Sequence, residues 1–161
     1  MEPETSIAIG SAAISFSAFI VSIGQLHIQR SHNKLSVKPL IEPYFESDLG
    51  NPYLLTIKNC GLGPAIITEY EFSLGQDVLK SPTIKQIGEC IKDFGIQTPG
   101  EVGSLTRGTN ISIDQTVFLL KFDSTVAPAI SQLFKHARFK ITYESIYNES
   151  FTLTVDGRQL C

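Results

Sequence analysis

Along the first part of the chain apolar positions run together instead of alternating. From residue 7 to residue 24 the string IAIGSAAISFSAFIVSIG holds no charge, and its polar members are small. Extended to Ile28 it covers about 22 residues, or about 33 Å as a helix, against a hydrocarbon core of about 30 Å. The pattern predicts a transmembrane helix over 7–28. Later the spacing falls to period two. In NPYLLTIKN, Tyr53, Leu55 and Ile57 alternate with Leu54, Thr56 and Lys58, which is the spacing of a strand. In AIITEYEFSL the positions Ile66, Thr68, Tyr70, Phe72 and Leu74 oppose Ile67, Glu69 and Glu71. TVFLLKF is apolar at positions of both parities, so a buried strand is expected. Phe139, Ile141 and Tyr143, then Phe151, Leu153 and Val155, predict a closing hairpin with Tyr147, Asn148 and Glu149 at its bend.

Two stretches carry helical spacing. In SPTIKQIGECIKDFG the residues Ile84, Ile87, Ile91 and Phe94 share a face, and Lys85 and Glu89 form an ion pair. Ser81 is the expected N-cap, Pro82 the first helical residue and Gly95 the stop. DSTVAPAISQLFKH spaces Val126, Ile130 and Phe134 by four, with Asp123 or Ser124 as cap. Pro39 and Pro43 forbid a helix between the span and the first strand and predict an extended edge. Short strands separated by turns argue a mainly β fold over 37–161: an antiparallel, immunoglobulin-like β-sandwich with one or two short helical insertions.

Charge sets the orientation of the span. Residues 1–6 carry Glu2 and Glu4 and no Lys or Arg, whereas a secretory signal begins with a basic region. The segment is therefore expected to stay as an anchor. Arg30, Lys34 and Lys38 follow it closely, and positive residues remain in the cytoplasm. This places residues 1–6 outside, 29–36 as a juxtamembrane linker, and the 37–161 domain in the cytoplasm. With 18% charged residues and a net charge of -3, the composition is not that of a nucleic-acid binder. Three cysteines, Cys60, Cys90 and Cys161, without a CxxC pair argue against a disulfide framework and a zinc site. No metal and no cofactor are expected. His27 and His32 are read as interfacial polar residues. The Asn110 and Asn148 glycosylation triplets carry no meaning on a cytoplasmic face.

Within the span, Ser11, Ser15, Ala18, Ser22 and Gln25 recur at steps of four and three, while Ile9, Phe16, Ile20 and Ile23 lie on the other side. Eight Ile, Phe and Val side chains in 7–24 give roughly -2.4 to -4.8 kcal/mol for insertion, adequate but without surplus. A stripe of small hydroxyl residues suits helix–helix packing, so the expected partners are membrane lipid and, through the span, a second copy or another membrane protein.

The most distinctive string is NCGLGPA. Asn59 can bond its own backbone two residues on, Gly61 and Gly63 tolerate positive φ, and Pro64 starts the next strand. It reads as a tight strand connection; a phosphate-binding glycine loop would open a helix instead. Cys60 beside it would need a base to act as a nucleophile. His136 is the only histidine of the soluble part, so Cys60 and His136 form the one thinkable catalytic dyad, that of a cysteine-dependent hydrolase.

The order span, HNKLSVKPLIEPYF, NCGLGPAII, PGE and ITYESIYNESF resembles a recurrent type of small, mostly uncharacterised bacterial membrane protein. That type has one N-terminal helix, then a β-sandwich with an Asn-x-Gly-x-Gly-Pro-Ala turn and a Tyr-x-Ser-x-Tyr-Gly-Glu hairpin. Asn59, Gly61, Gly63, Pro64, Ala65, Tyr143, Ser145, Tyr147 and Glu149 match; Asn148 stands where that type has Gly, and Asn also tolerates positive φ. The resemblance implies architecture and a single-pass inner-membrane topology, and no activity. The expected function is a non-enzymatic, membrane-anchored interaction module that binds a cytoplasmic protein. A narrower expectation is a subunit or effector of a bacterial stress or phage-defence complex. A periplasmic adhesion-like domain would follow from reversed topology.

Overall fold

A computed structural model describes residues 3–46, 53–93, 95, 100–103, 105–123 and 127–159. Phe94, Ser124, Val126 and Cys161 lie outside the described residues. The chain divides into two units, Met1–Ser36 and Val37–Cys161.

The first unit is one helix, α1 (Pro3–Ser36), about 51 Å long at 1.5 Å per residue. It continues through 29–36, where a linker was expected, because that stretch holds no Pro or Gly to stop it. It is long and apolar enough to cross a membrane. Its large side chains are exposed, Ile14 by 73% and Phe16 by 66%.

Among the described residues the second unit holds two antiparallel sheets and two α-helices. The first sheet runs in the order β1 (Ile41–Glu46), β2 (Tyr53–Asn59), β7 (Thr116–Phe122), β5 (Glu101–Val102). The second runs β4 (Asp77–Lys80), β3 (Ala65–Leu74), β8 (Ala137–Glu144), β9 (Ser150–Asp156), and β6 (Asn110–Ile111) pairs with the start of β3. β1 is an edge strand, as its proline predicts. Leu55, Ile57 and Leu120 from one sheet and Ile67, Phe72, Phe139 and Ile141 from the other are buried in one core.

Among the described residues each sheet breaks strict alternation at one β-bulge. Ile67 pairs with Tyr143 and Glu69 with Thr142, so Thr68 is the extra residue of β3. Its hydroxyl donates to the Thr142 carbonyl at 3.1 Å. The face shifts there: Ile67 joins Tyr70, Phe72 and Leu74 inside, instead of opposing them. In the other sheet Leu55 pairs with Leu120 and Thr56 with Phe118. Leu119 is the extra residue, and both Leu119 and Leu120 are buried. An unpaired residue shifts the side-chain parity by one, which a two-residue period cannot express.

The helices cover gaps around this core. α2 (Ile84–Asp93) buries Ile87 and Ile91, and Ile84 in its first turn is exposed. Its cap is Thr83, not Ser81. The Gln86 amide donates to Thr83 Oγ1 at 3.3 Å and the Thr83 amide donates to Gln86 Oε1 at 2.9 Å. This reciprocal capping box outcompetes Ser81, which sits in a turn at φ 47° with its amide on the Tyr70 carbonyl. Lys85 and Glu89 pair at 3.8 Å. α3 (Ala127–His136) buries Ile130, Leu133 and Phe134. Phe134 meets Phe45 of the first sheet edge-to-face at 4.8 Å.

One core group is left unsatisfied. The Tyr70 hydroxyl is buried without a hydrogen-bond partner among the described residues, and burial pushes its ionisation far above the usual tyrosine range. Removing a buried, unpaired hydroxyl relieves a desolvation penalty. Tyr70→Phe is expected to stabilise the fold by about 1 kcal/mol, read as a higher melting temperature of the full chain in detergent. A lower one would show that the hydroxyl has a partner.

Candidate functional site

The NCGLGPA string is a corner, not a hairpin: β2 belongs to one sheet and β3 to the other. Asn59 closes it. The residue is fully buried, and its carboxamide is bonded at all four positions. Oδ1 accepts the amides of Leu40 at 3.2 Å and Gly61 at 3.0 Å, and Nδ2 donates to the carbonyls of Gly63 at 2.8 Å and Ile111 at 3.0 Å. The bond to Gly61 is the expected Asx turn. The other three reach the entering chain, the corner itself and β6.

Gly61 and Gly63 are required for a different reason from the expected one. Neither lies in the left-handed region. Both lack a side chain because residues 37–40 cross directly over them. A Cβ on Gly61 would stand 2.6 Å from the Lys38 carbonyl oxygen, and one on Gly63 would strike the Val37 carbonyl. The crossing chain is also bonded to the corner: the Cys60 amide donates to the Leu40 carbonyl at 2.7 Å and the Leu62 amide to the Lys38 carbonyl at 2.9 Å. The corner therefore clamps the first residues of the sandwich.

The closing hairpin uses the remaining matched residues. Buried Ser145 accepts the amides of Tyr147 at 3.2 Å and Glu149 at 3.3 Å through its hydroxyl. Asn148 takes φ 58°, the conformation for which Asn substitutes for Gly. The Ile41 amide donates to the Tyr143 hydroxyl at 3.3 Å, which ties the second sheet to the first.

Cys60 and His136 do not meet. Cys60 precedes the start of β3. His136 precedes Ala137, which pairs with Leu74 at the other end of β3, and its carbonyl accepts the Gly75 amide. The strand between them has ten residues, about 30 Å. The exposed Cys60 thiol instead lies 3.4 Å from the Tyr44 hydroxyl, which donates to Glu42 at 3.1 Å. The hydrogen bond to Cys60, then that to Glu42, pushes the Tyr44 phenol up to about 12, so it stays protonated at neutral pH and offers no base. Cys90 is half-buried; burial first, then Asp77 and Asp93, pushes its thiol up, away from a reactive thiolate. Among the described residues no group of three His, Cys, Asp or Glu side chains is placed to hold a metal.

On α1, Ser11, Ser15, Ala18, Ser22 and Gln25 fall within an arc of about 80° at 100° per residue. All five are exposed. The Ser11, Ser15 and Ser22 hydroxyls donate to the carbonyls of Ile7, Ser11 and Ala18 at 2.9, 2.9 and 2.8 Å, and Ser17 on another face does the same to Ala13. Their protons are used within the helix. What distinguishes the stripe is low bulk, more than free donors.

Sequence reasoning missed the fourfold bonding of Asn59, for which spacing gives no signal, and the Thr83 cap, for which the Thr-x-x-Gln pattern was present. The clamp leads to a direct expectation. Asn59→Asp loses both donors and sets a carboxylate oxygen against two carbonyls, which should cost about 3 kcal/mol or more. Gly63→Ala should also destabilise, whereas Asn148→Gly should stay within about 0.5 kcal/mol. Thermal melting of the full chain separates these; near-native melting of Asn59→Asp would refute the clamp.

No curated protein of described function matches the sequence. A family model described as a domain of unknown function, DUF8453, matches residues 6–159, covering the apolar helix, the corner and the closing hairpin together. The chain belongs to the DUF8453 family.

Proposed function

We propose that this chain is a membrane-anchored interaction module without a catalytic role. In this reading α1 crosses the membrane and assembles with a second copy or with another membrane protein, and the sandwich binds a protein on the cytoplasmic side. The sandwich is taken as immunoglobulin-like, with the β2 to β3 corner as its crossing between sheets. The observation that carries the proposal is α1 itself. Its apolar residues are exposed all round, a surface that in water would have to be covered. The face of Ser11, Ser15, Ala18 and Ser22 breaks that surface with small residues at helical spacing, as Gly10, Ala13, Ser17 and Gly24 do on another, and low bulk lets another helix approach closely.

Basic residues on one flank only, Arg30, Lys34 and Lys38, support the cytoplasmic placement. Exposed Cys60 reports it. In a variant with Cys90→Ser and Cys161→Ser, a membrane-impermeant maleimide should leave intact bacterial cells unlabelled and modify Cys60 after permeabilisation. Labelling in intact cells would reverse the topology and favour an extracytoplasmic adhesion-like domain.

Assembly is tested by bulk. A single interhelical polar contact contributes only about 0.6 kcal/mol, so one serine should not decide it. Ser15→Leu with Ala18→Leu keeps the helix apolar but holds a neighbour away. This pair is expected to abolish crosslinking in membranes, while Ser17→Leu on another face leaves it intact. Equal crosslinking in both variants would reduce α1 to a plain anchor.

A further inference from the structure

At the end of the sandwich opposite the clamp, a cavity of about 280 Å³ opens between the turn after β3, the last residues of α3 and the turn after β9. Lys135 and His136 line it from α3, Arg138 from β8, Arg158 from the turn after β9, and Ser73 and Gly75 from β3 and its turn. These segments are far apart in sequence, and specific packing brings them together. Ser73 pairs with Arg138 across β3 and β8. Gly157 lies against the Phe134 carbonyl so closely that a Cβ would collide with it. That approach seats the 3-10 turn Gly157–Gln159 on α3 and sets Arg158 beside the end of that helix.

The charges are organised as well as gathered. Asp156 holds both guanidinium groups: Oδ2 accepts Arg138 Nε at 3.0 Å and an Arg158 terminal nitrogen at 2.8 Å, and Oδ1 accepts Arg158 Nε at 3.1 Å. Those bonds to Arg158, ahead of the Arg138 charge, keep the Asp156 carboxyl well below the usual range, so this buttress stays ionised. Among the described residues, three permanent cations, Lys135, Arg138 and Arg158, stand against the one carboxylate that pairs with them, a surplus of two positive charges before His136 is counted. The whole protein carries -3. The next carboxylate on the sheet, Glu71, is engaged by Lys80 and Lys140 at 3.9 and 3.7 Å, and Asp77 lines the adjoining cavity with Cys90, the two cavities sharing Val78. Gathering positive charge against the average of the molecule is unfavourable unless an anion answers it. Two guanidiniums held by one carboxylate, with a hydroxyl and an ammonium lining the same cavity, supply donors of the kinds that phosphate oxygens accept.

We propose that this cavity binds a phosphate group, carried either by a small soluble molecule or by a lipid headgroup. Arg138 and Arg158 take its oxygens, Lys135 adds charge, and Ser73 offers a hydroxyl. The site does not require α1 to cross a membrane.

The test is NMR of the full chain in maltoside micelles, which contain no phosphate. In one arm inorganic phosphate is titrated against chloride of equal ionic strength; in the other, phosphatidic acid is added to the micelles. Saturable shifts centred on Gly75, Arg138 and Arg158 are expected. Shifts with inorganic phosphate assign a soluble ligand, and shifts with phosphatidic acid alone assign the headgroup. Arg158→Gln should weaken binding about tenfold or more with unchanged melting. Lys140→Gln, which removes an equal charge two residues along β8 from Arg138, should leave it intact. No saturable shift in either arm would overturn the proposal. So would an equal loss in Lys140→Gln, because the effect would then be general charge attraction.

Discussion

A single buried carboxamide joins the parts of the sandwich that sequence distance separates. Asn59 has two lone-pair positions and two N–H groups, and each meets a backbone partner: residue 40 from the entering chain, residues 61 and 63 from the corner, residue 111 from β6. In a buried site such a network is favourable only when complete, because one unpaired group carries the full penalty of lost hydration. The glycines follow from the same geometry. For Asn59 to reach residue 40, residues 37–40 must pass over the corner at backbone distance, and only residues without a Cβ fit beneath them. Asn59, Gly61 and Gly63 are one structural solution written in three letters.

The opposite end of the molecule is built by a comparable device with a different outcome. Gly157 allows the chain after β9 to lie on the backbone of α3, and this close approach collects basic side chains instead of satisfying amides. Asp156 then prevents the two guanidiniums from diverging. Exposed ion pairs contribute little to stability, so the arrangement is better understood as orienting groups than as holding the fold together. One end of the sandwich is thus occupied by its own chain, and the other presents polarised groups outward.

α1 poses a separate physical problem. A helix with exposed Ile and Phe around its circumference presents an apolar surface that water disfavours, and four of its small residues, Ser11, Ser15, Ala18 and Ser22, share one face. The serine hydroxyls are already bonded to their own helix, so steric access is the property that the stripe offers. Low bulk on one face, in a helix of modest insertion strength, is the feature that the interaction reading uses.

Much of the architecture was legible from composition and period alone. An uncharged run of that length favours a helix, which satisfies its backbone through hydrogen bonds within the segment itself. Alternation marked β2, β3, β8 and β9, and the turn chemistry of Asn148 was readable because positive φ is a local property of a residue type. Non-local geometry decided the rest. The bulges at Thr68 and Leu119 moved side chains to the other face through pairing with a strand elsewhere in the chain. Gly61 and Gly63 were recognisable as special, but the reason was an approaching segment, not a dihedral angle. Cys60 and His136, suggestive as types, fell at opposite ends of β3, and Lys135, Arg138 and Arg158 came together although nothing in their spacing signals it. Local propensity is written residue by residue, whereas contact between distant segments exists only once the chain has packed.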